Sequence, residues 1–525
     1  MAEIAIINPM FETSFWGLEH SAPLMGKKAT LPVACLPLIA ALTPKKHNVT
    51  LIDENVEPID WELVLKADIV CLTGMIVQRD RMREILESLR VHDKFAVVGG
   101  PYVTVEKHIF DELADVVFMG EADETWPQFL EEWERGEHKK IYEQANSTDM
   151  TKVPTPRLEL LKTSQYMYGS MQISRGCPYQ CEFCDIIITF GRRPRLKTSE
   201  QVIAELDNFL KTGLRLVFVV DDNLIGNKKA IKSILRDIIK WQQKHAYALT
   251  LFTEASLDLA EDEELMQLMG EANFQAVFVG IESPNEESLE ETKKYQNVRP
   301  KAGTVMERIH RIQKHGLELW CGMILGFDHD ETSIFDIMPE FIQESRIAHS
   351  LIGQLYAIPT TPLYARLQEE GRLDLEESYA GLGVGTNVIP LQMSPEELRD
   401  GYVDVMERVY EPSTYFDRID ALYIDERFKY AAHTLPYWRK HFLAWTKRCT
   451  MNVARTFYLY RRVMRAIEDK ELRQEYKDRF WRLVRARPTE PHLWFHYIIK
   501  ITMHFHYWTM IQGMRAGLRE LVRSA

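Results

Sequence analysis

The chain has 525 residues, of which 46% are hydrophobic and 27% charged, and its formal net charge is −13. This length and apolar content allow large buried cores and about two to four domains, of which we expect three. The acidic balance argues against general nucleic-acid binding.

The cysteines indicate the compartment. There are seven, an odd number, and four of them (Cys35, Cys71, Cys321 and Cys449) are scattered through apolar surroundings, as is typical of small buried hydrophobic residues. The opening segment AEIAIIN is typical of a buried strand rather than of a secretion leader. We therefore expect a reducing cytoplasm.

The first 135 residues alternate short β-rich runs with amphipathic helical segments, which predicts a five-stranded, doubly wound (Rossmann-like) α/β domain over 1–135. Small residues and turn formers follow its strands. They are Thr73, Gly74, Gly99, Gly100, Pro101, Gly120 and Glu121. Ligands of open α/β sheets bind at the carboxyl ends of the strands, where glycines permit close approach. This pattern favours a binding site, although turns also use these residue types.

A polar linker is predicted over 136–168, and a second alternating series follows over 169–375. Six strand–helix units are too few for a complete eightfold barrel. They predict a partial (β/α)6 TIM-type barrel whose working face lies at the carboxyl ends of its strands.

Three cysteines, Cys177, Cys181 and Cys184, follow the first barrel strand with the spacing C-x3-C-x2-C. Thiolates from one short loop can hold three corners of a [4Fe-4S] cluster and leave the fourth iron open to another ligand. The alternatives are a zinc site that lacks one ligand, or a chance run. The preceding strand and the Gly176 turn favour the cluster.

Through these residues the sequence resembles the radical S-adenosylmethionine (SAM) superfamily, and the resemblance implies that SAM binds at the open iron. It also implies SAM contacts at later strand ends: near the methionyl amine, near the ribose and carboxylate, and along the adenine. In that order, these residues are Asp221, Asp222 and Asn223; Glu254 and Ser256; and Gly280, Ile281 and Glu282. Taken singly, Asp at a strand end is ordinarily a turn or cap residue, and Glu282 could pair with a lysine.

A Rossmann-like domain before such a barrel resembles the cobalamin-binding subclass of the superfamily, which implies that the strand-end residues above bind cobalamin. The segment LIDENVEP, with Asp53, resembles a loop that carries a cobalt-ligating histidine in other cobalamin domains. Here Glu54 and Asn55 follow Asp53, so we expect no histidine below cobalt from this loop. The alternative is a scaffold that no longer binds the cofactor.

Residues 376–525 predict a helical domain of different charge. From Lys429 to Ala525 there are 20 Lys and Arg against 7 Asp and Glu. A polar stripe on one helix is predicted by four residues spaced four apart: His492, His496, Lys500 and His504. Paired histidines could instead bind a metal, but the lysine in line favours the polar stripe. The segment is too interrupted for a membrane span.

Two interpretations of this basic tail stay open. It could bind the surface of an anionic membrane, or it could cap the acidic barrel. The membrane interpretation uses aromatic residues for insertion and arginines for head groups. These residues are Trp494, Phe495, Tyr507 and Trp508, with Arg515, Arg519 and Arg523.

The whole arrangement resembles the hopanoid C-methylases and related lipid-modifying enzymes. This implies a methyltransferase for an unactivated carbon of a hopanoid or another polycyclic or isoprenoid lipid. The cluster would reduce SAM to release a radical that takes hydrogen from the substrate, methylcobalamin would supply the methyl group, and a second SAM would remethylate cobalt.

The resemblance also implies a reductant such as flavodoxin or ferredoxin. The alternatives are a radical SAM enzyme that couples or cyclises carbons without methyl transfer, and an iron-sulfur electron-transfer or sensor protein. No catalytic residue can be assigned from the sequence.

Overall fold

The structure is a computed structural model that describes residues 1–299, 302–374 and 385–524, with side chains up to residue 518. The chain divides into two compact units. The first comprises Met1–Glu12, Lys28–Asp237 and Ile358–Arg366, and the second comprises Thr13–Lys27, Ile238–Ala357 and Leu367–Ala525. The predicted boundary at 375 lies outside the described residues, and the domain limits stay a prediction.

The first unit begins with strands that alternate with helices. In chain order these elements are β1 (Glu3–Asn8), α1 (Cys35–Leu42), β2 (Asn48–Asp53), α2 (Trp61–Lys66), β3 (Ile69–Thr73), α3 (Arg79–Val91), β4 (Ala96–Gly99), α4 (Pro101–Val105), β5 (Val116–Met119), α5 (Thr125–Arg135) and β6 (Ile141–Glu143). Helix α3 shows why they assemble, because its buried residues Met82, Ile85, Leu86 and Leu89 fall on one face at helical spacing.

The strands form one parallel sheet in the order β2-β1-β3-β4-β5-β6. The sheet therefore has six strands instead of the predicted five, and β6 lies in the segment that is predicted to be a linker. This strand is only three residues long, too short for a periodic signal. Its Tyr142 is buried and stacks on Phe118 with ring centroids 5.1 Å apart.

The cysteine segment follows, and all of it except the end of its last helix (238–244) lies within the same unit. Its elements are β7 (Gly169–Met171), β8 (Ser174–Arg175), α6 (Ile186–Thr189), β9 (Arg195–Leu196), α7 (Ser199–Thr212), β10 (Leu216–Val219) and α8 (Lys228–Lys244). Strand β7 pairs in parallel with β10, whereas β8 and β9 form a short antiparallel ribbon. A capping box between Thr198 and Gln201 starts α7.

The second unit carries four further parallel barrel strands with their helices. These elements are β11 (Thr250–Glu254), α9 (Glu263–Glu271), β12 (Phe274–Glu282), α10 (Glu286–Glu291), α11 (Val305–Lys314), β13 (Glu318–Leu325), α12 (Ile334–Ser345) and β14 (His349–Gln354). Helix α13 (Pro362–Glu369) comes next in the chain and belongs to the first unit as far as Arg366. The strands pair in the order β11, β12, β13, β14.

Helices make up the rest of the second unit. They are α14 (Pro395–Tyr410), α15 (Pro412–Asp420), a π-helical turn (Ala421–Asp425), α16 (Leu435–Lys440), α17 (Phe442–Ala466), α18 (Lys470–Ala486) and α19 (Pro491–Ser524). The predicted fold class agrees with this architecture: a Rossmann-like domain, parallel barrel strands with their helices, and a C-terminal helical region. Among the described residues, no helix combines the length and the apolar character that crossing a bilayer requires.

Candidate cofactor and substrate sites

The loop that carries the three cysteines is closed at its base by the β8–β9 ribbon. At its start Gly176 has φ +92°, and a Cβ there would lie 2.8 Å from the Gly191 carbonyl oxygen, so the position requires glycine. The Cys177 amide donates to that same carbonyl oxygen at 3.3 Å. The returning strand of the loop therefore fixes the backbone of the first cysteine.

The thiols suit a cluster better than a single metal ion. Cys177 and Cys184 are half-buried, Cys181 is buried, and none forms a disulfide. Nowhere in the described residues do three His, Cys, Asp or Glu side chains converge to hold one metal ion. In a [4Fe-4S] cubane each thiolate binds a different iron, so the three need not converge. The side-chain amide of Asn223 points its nitrogen at Cys177 Sγ, 3.8 Å away.

The two aspartates predicted to contact SAM hold the strand that leads into this loop. Buried Asp221 accepts hydrogen bonds from the Ile173 amide (2.7 Å) and from the amide and hydroxyl of Ser174 (2.8 and 2.6 Å). Asp222 accepts from the Gly176 amide at 2.9 Å. Burial raises the pKa of Asp221 to about 7 and that of Asp222 to about 6. Both carboxylates act on the backbone here, and their contact with SAM stays a prediction.

Ion pairs join the cysteine loop to the Rossmann-like sheet. Arg175 of β8 pairs with Glu121 and Asp123, both at 2.6 Å, and Arg195 of β9 pairs with Glu121 at 3.1 Å. Burial alone would raise the pKa of Glu121, but the two guanidinium groups hold it below its usual value. Glu121, predicted to bind cobalamin, is thus engaged by the cysteine loop, and the sequence analysis missed both arginines.

The predicted cobalamin residues do lie at one edge of the first sheet. Its first five strands have the order 2-1-3-4-5, so the topological switch point lies between β1 and β3, where such sheets bind ligands. Thr73 and Gly99 are register partners at the ends of β3 and β4. Gly100 has φ +99°, and a Cβ there would lie 2.6 Å from Thr73 Oγ1. Gly120 faces open space.

The other predicted glycine and proline positions have local roles. A Cβ on Gly74 would lie 2.5 Å from the Met82 sulfur, so this glycine lets α3 pack closely. Pro101 occupies the first turn of α4, where its missing N–H costs nothing. The presence of Gly74 and Pro101 at these positions is therefore explained by packing and helix geometry, without a ligand.

The loop around Asp53 is satisfied internally. Asp53 is 3% exposed and accepts hydrogen bonds from Tyr166, Asn8 and Asn55 at 2.7–3.0 Å. Glu54 pairs with Arg81 and accepts from the Met10 amide at 2.9 Å. These contacts fasten the loop after β1 to the loop after β2, and Asp53 acts there as a positioning residue.

Two methionines that the sequence analysis missed flank the switch point. Met10 follows β1 and is 53% exposed, and Met75 follows β3 and is 48% exposed. Large apolar side chains in solvent at a sheet's ligand edge suit a ligand with an extended apolar face. The sequence could have singled out these two methionines only if the ends of β1 and β3 had been known, because a methionine is otherwise expected to be buried.

In the second unit, the segment predicted to lie along adenine is a strained β-bulge. The pairing of β12 with β13 shifts between Gly280 and Glu282, and Glu282 has φ +69°. Asn297 donates to the carbonyl oxygens of Gly280 and Ile281, each at 3.0 Å. Glu282 pairs with Lys294 at 2.6 Å, which is the lysine pairing that the sequence analysis gave as the alternative to SAM contact.

The remaining predicted SAM residues lie at the end of β11. Glu254 is the last residue of that strand. Ser256 donates to Asp258 Oδ1 at 2.5 Å and precedes a short 3-10 helix. Their position at a carboxyl strand end agrees with the prediction, while contact with SAM stays untested.

The barrel strands of this unit present an apolar face with a glycine floor. Gly280 and Gly322 are register partners, Phe278 is the partner of Trp320, and Gly353 faces open space. Ile324 and Leu351 are half-buried positions of the neighbouring strands. Trp16 lies edge-on to Phe278, with ring centroids 5.2 Å apart. The space beside Gly353 is open, whereas the ion pair of Glu282 and Lys294 fills the space beside Gly280 and the Phe278 ring fills that beside Gly322. The open end at Gly353, with the aromatic rings as flat walls, suits a large apolar ligand.

The predicted polar stripe of α19 is confirmed as an internal structure. Lys500 forms an ion pair with Glu318, and His496 lies 2.7 Å from the same carboxylate. Burial alone would raise the pKa of Glu318, but Lys500 and His496 hold it well below its usual value. His504 contacts Tyr476 and the Tyr410 carbonyl oxygen at 2.6 and 2.9 Å.

Because Glu318 begins β13, the stripe packs at the amino end of a barrel strand. The aromatic residues proposed for membrane insertion are not free in solvent, since Tyr507 is 1% exposed and Trp494, Phe495 and Trp508 are half-buried. Arg515 pairs with Glu407 at 3.2 Å. The side chains of Arg519 and Arg523 lie outside the described ones.

Comparison with known proteins decides the family. Residues 171–338 match the radical SAM superfamily, and residues 361–520 match a domain of unknown function (DUF4070). An uncharacterized methyltransferase of Synechocystis sp. is 40% identical over 79% of this chain and 77% of its own length. The hopanoid C-2 methylase of Rhodopseudomonas palustris is 35% identical over 79% of this chain and 78% of its own length. The chain belongs to the radical SAM methyltransferases.

A solved structure supports the fold assignment. The radical enzyme OxsB, described as cobalamin-dependent and solved with aqua-cobalamin and SAM bound, superposes with a TM-score of 0.61 at 14% identity, over 99% of this chain and 81% of its own. The methyltransferase TsrM from Kitasatospora setae, described with cobalamin and a [4Fe-4S] cluster bound, superposes with a TM-score of 0.58 at 16% identity, over 77% of this chain and 82% of its own. Family membership confirms that this radical SAM protein is an enzyme. The alternative of an electron-transfer or sensor protein is thereby wrong.

Proposed function

We propose that this methyltransferase acts on an unactivated carbon of a hopanoid or a similar polycyclic lipid. The open end of the glycine-floored face carries the proposal, because Gly353 leaves space there and its register partner Ile324 is apolar, so a rigid, flat hydrocarbon can be accepted. The relative from Rhodopseudomonas palustris, a hopanoid C-2 methylase, supports it.

Each cofactor has candidate residues in the first unit. Cys177, Cys181 and Cys184 would hold the cluster, and the switch-point edge with Met10 and Met75 would hold cobalamin. When bound, these groups supply an electron for SAM cleavage and a carrier for the methyl group. Overall, one C–H bond of the substrate becomes a C–CH3 bond. One SAM is cleaved to methionine and a 5′-deoxyadenosyl group that takes up the hydrogen, a second SAM supplies the methyl group and leaves as S-adenosylhomocysteine, and the external reductant supplies two electrons per turnover.

The chain's own residues position these groups and exclude water. Asp221 and Asp222 fix the backbone that enters the cysteine loop, and Arg175 ties that loop to the end of β5. In the second unit, Phe278 and Trp320 would shield the substrate carbon from solvent, which protects a reactive intermediate from side reactions.

The test is a lipid profile with a matched pair of variants. Cells that express the wild-type gene should contain one new lipid heavier by a methylene unit. Gly353→Leu should remove that lipid by filling the space above the strand, whereas Gly513→Leu, on an exposed part of α19 that is also open, should not. Purified Gly353→Leu protein should keep its thermal midpoint and its SAM cleavage without substrate, but lose hopanoid binding.

Other outcomes would redirect the proposal. A product lighter by two hydrogens, with no added carbon, would assign the protein to coupling or cyclisation. Unchanged methylation and hopanoid binding in Gly353→Leu would show that the glycine-floored face is not the substrate site. A flavodoxin or ferredoxin is the proposed electron donor, and the cytoplasm is the proposed compartment.

A further inference from the structure

The most exposed apolar side chains of the C-terminal helices cluster on α16 and the first half of α17. Leu443 is 85% exposed and Phe442 68% exposed at the start of α17, and Leu435, Met451 and Tyr458 are also exposed. A monomeric protein seldom leaves such large side chains clustered in water without a use for them. We call the exposed face of residues 435–465 the α17 face.

The charge around these residues has a single sign. No Asp or Glu occurs between Glu426 and Glu468, whereas that interval contains ten Lys and Arg residues. Two of them anchor the helices: Arg448 donates to the Tyr247 carbonyl oxygen at 3.0 Å, and Arg462 donates to that of Pro23 at 2.9 Å. The other eight are exposed.

The exposed residues share one stripe of the helix. Successive residues of one set are separated by four or seven positions, so they lie on one side of α17: Leu443, Lys447, Met451, Tyr458 and Arg465. The opposite side is buried in its second half, through residues such as Leu459 and Val463. The apolar tip with its basic flanks has the composition of a helix that lies in the interface of an anionic bilayer.

We propose that the α17 face docks the enzyme on an anionic lipid surface, with Phe442 and Leu443 inserted among the acyl chains and the basic residues at the head groups. A second copy of the chain fits poorly, because two such faces would repel each other. This surface differs from the buried aromatic residues of α19. Membrane docking goes beyond the proposed methyl transfer, and its failure would leave that reaction untouched.

Vesicle flotation of the full protein tests the proposal. The wild type should float with vesicles of phosphatidylglycerol and phosphatidylcholine in equal parts, and not with phosphatidylcholine alone. Each Lys or Arg near such a surface strengthens binding about fivefold, so combining Lys440→Glu with Lys447→Glu should weaken it by at least about 25-fold. Phe442→Ser with Leu443→Ser should also abolish flotation, without lowering the thermal midpoint.

The matched control is Val91→Ser with Leu391→Ser, which removes two apolar side chains that are 83% and 59% exposed elsewhere. This control should float like the wild type. Absence of wild-type flotation, or equal flotation of all variants, would overturn the proposal. So would a lipid-free dimer that Phe442→Ser with Leu443→Ser disperses, or duplex DNA binding in a protein that does not float.

Discussion

The buried ion pair between Lys500 and Glu318 gives the sharpest prediction, for the variant Lys500→Met. Lys500 is 1% exposed, Glu318 is fully buried, and the His349 ring nitrogen lies 2.7 Å from the ammonium. Methionine keeps most of the side-chain volume but leaves a carboxylate without its cation. Removing one partner of a buried pair costs about 3–5 kcal/mol. The cost should lie near the lower value, because Trp320, Tyr423 and His496 still contact Glu318.

Thermal unfolding followed by tryptophan fluorescence measures this loss. For a unit of this size the midpoint should fall by roughly 6–12 °C, given about 2–4 °C per kcal/mol. The double variant Glu318→Gln with Lys500→Met should recover much of the loss, since it buries no unbalanced charge. Lys470→Met, an exposed lysine of α18, is the control and should change stability by less than about 0.5 kcal/mol.

The pH dependence has a definite sign. In the wild type the pKa of Glu318 is held low, so its contribution to stability is lost only as the pH falls through that low value. Without Lys500, burial raises the pKa of Glu318. Protonation then relieves the unbalanced charge, and the stability deficit of Lys500→Met should shrink on acidification. A deficit no larger than that of Lys470→Met, or strict additivity in the double variant, would refute this account of the stripe.

Four further predictions concern the first unit. Cys184→Ala should abolish the reducible cluster after anaerobic reconstitution and leave the far-ultraviolet circular dichroism intact; full SAM cleavage would contradict the assignment. Arg175→Met leaves the buried Asp123 carboxylate without its cation, while Glu121 keeps Arg195, and should cost about 3 kcal/mol in urea unfolding. Gly100→Ala should lower stability by about 1–3 kcal/mol through its φ of +99°. Asp221→Asn loses acceptor capacity for three donors and should cost about 1–3 kcal/mol, with weaker cluster retention; no change in either would contradict its role.

The sequence allowed the prediction of those features that depend only on residues close together in the chain. The three cysteines of the loop lie within eight residues, and Gly176 forms the predicted turn with a φ of +92°. The α19 stripe follows from four-residue spacing. Strand β6 could not be predicted, because three residues give no periodicity and its burial depends on a partner strand.

Contacts between distant segments were beyond the sequence for a different reason. Glu121 and Arg175 are 54 positions apart, and Glu318 and Lys500 are 182 apart. No local pattern connects such pairs, since only the folded sheet and barrel bring them together. For the same reason the sequence analysis predicted Glu121 and Asp53 to contact a ligand, although each has protein partners in the structure.

The two ion pairs of Glu121 determine which functional segments are held together in the chain. They join the cysteine loop to the cofactor edge of the first sheet within one compact unit, whereas the glycine-floored face belongs to the other unit. Substitutions on that face can therefore change which hydrocarbon is accepted without touching the residues that hold the redox and methyl-carrying groups. A chain built this way can acquire a new substrate while its radical chemistry stays the same.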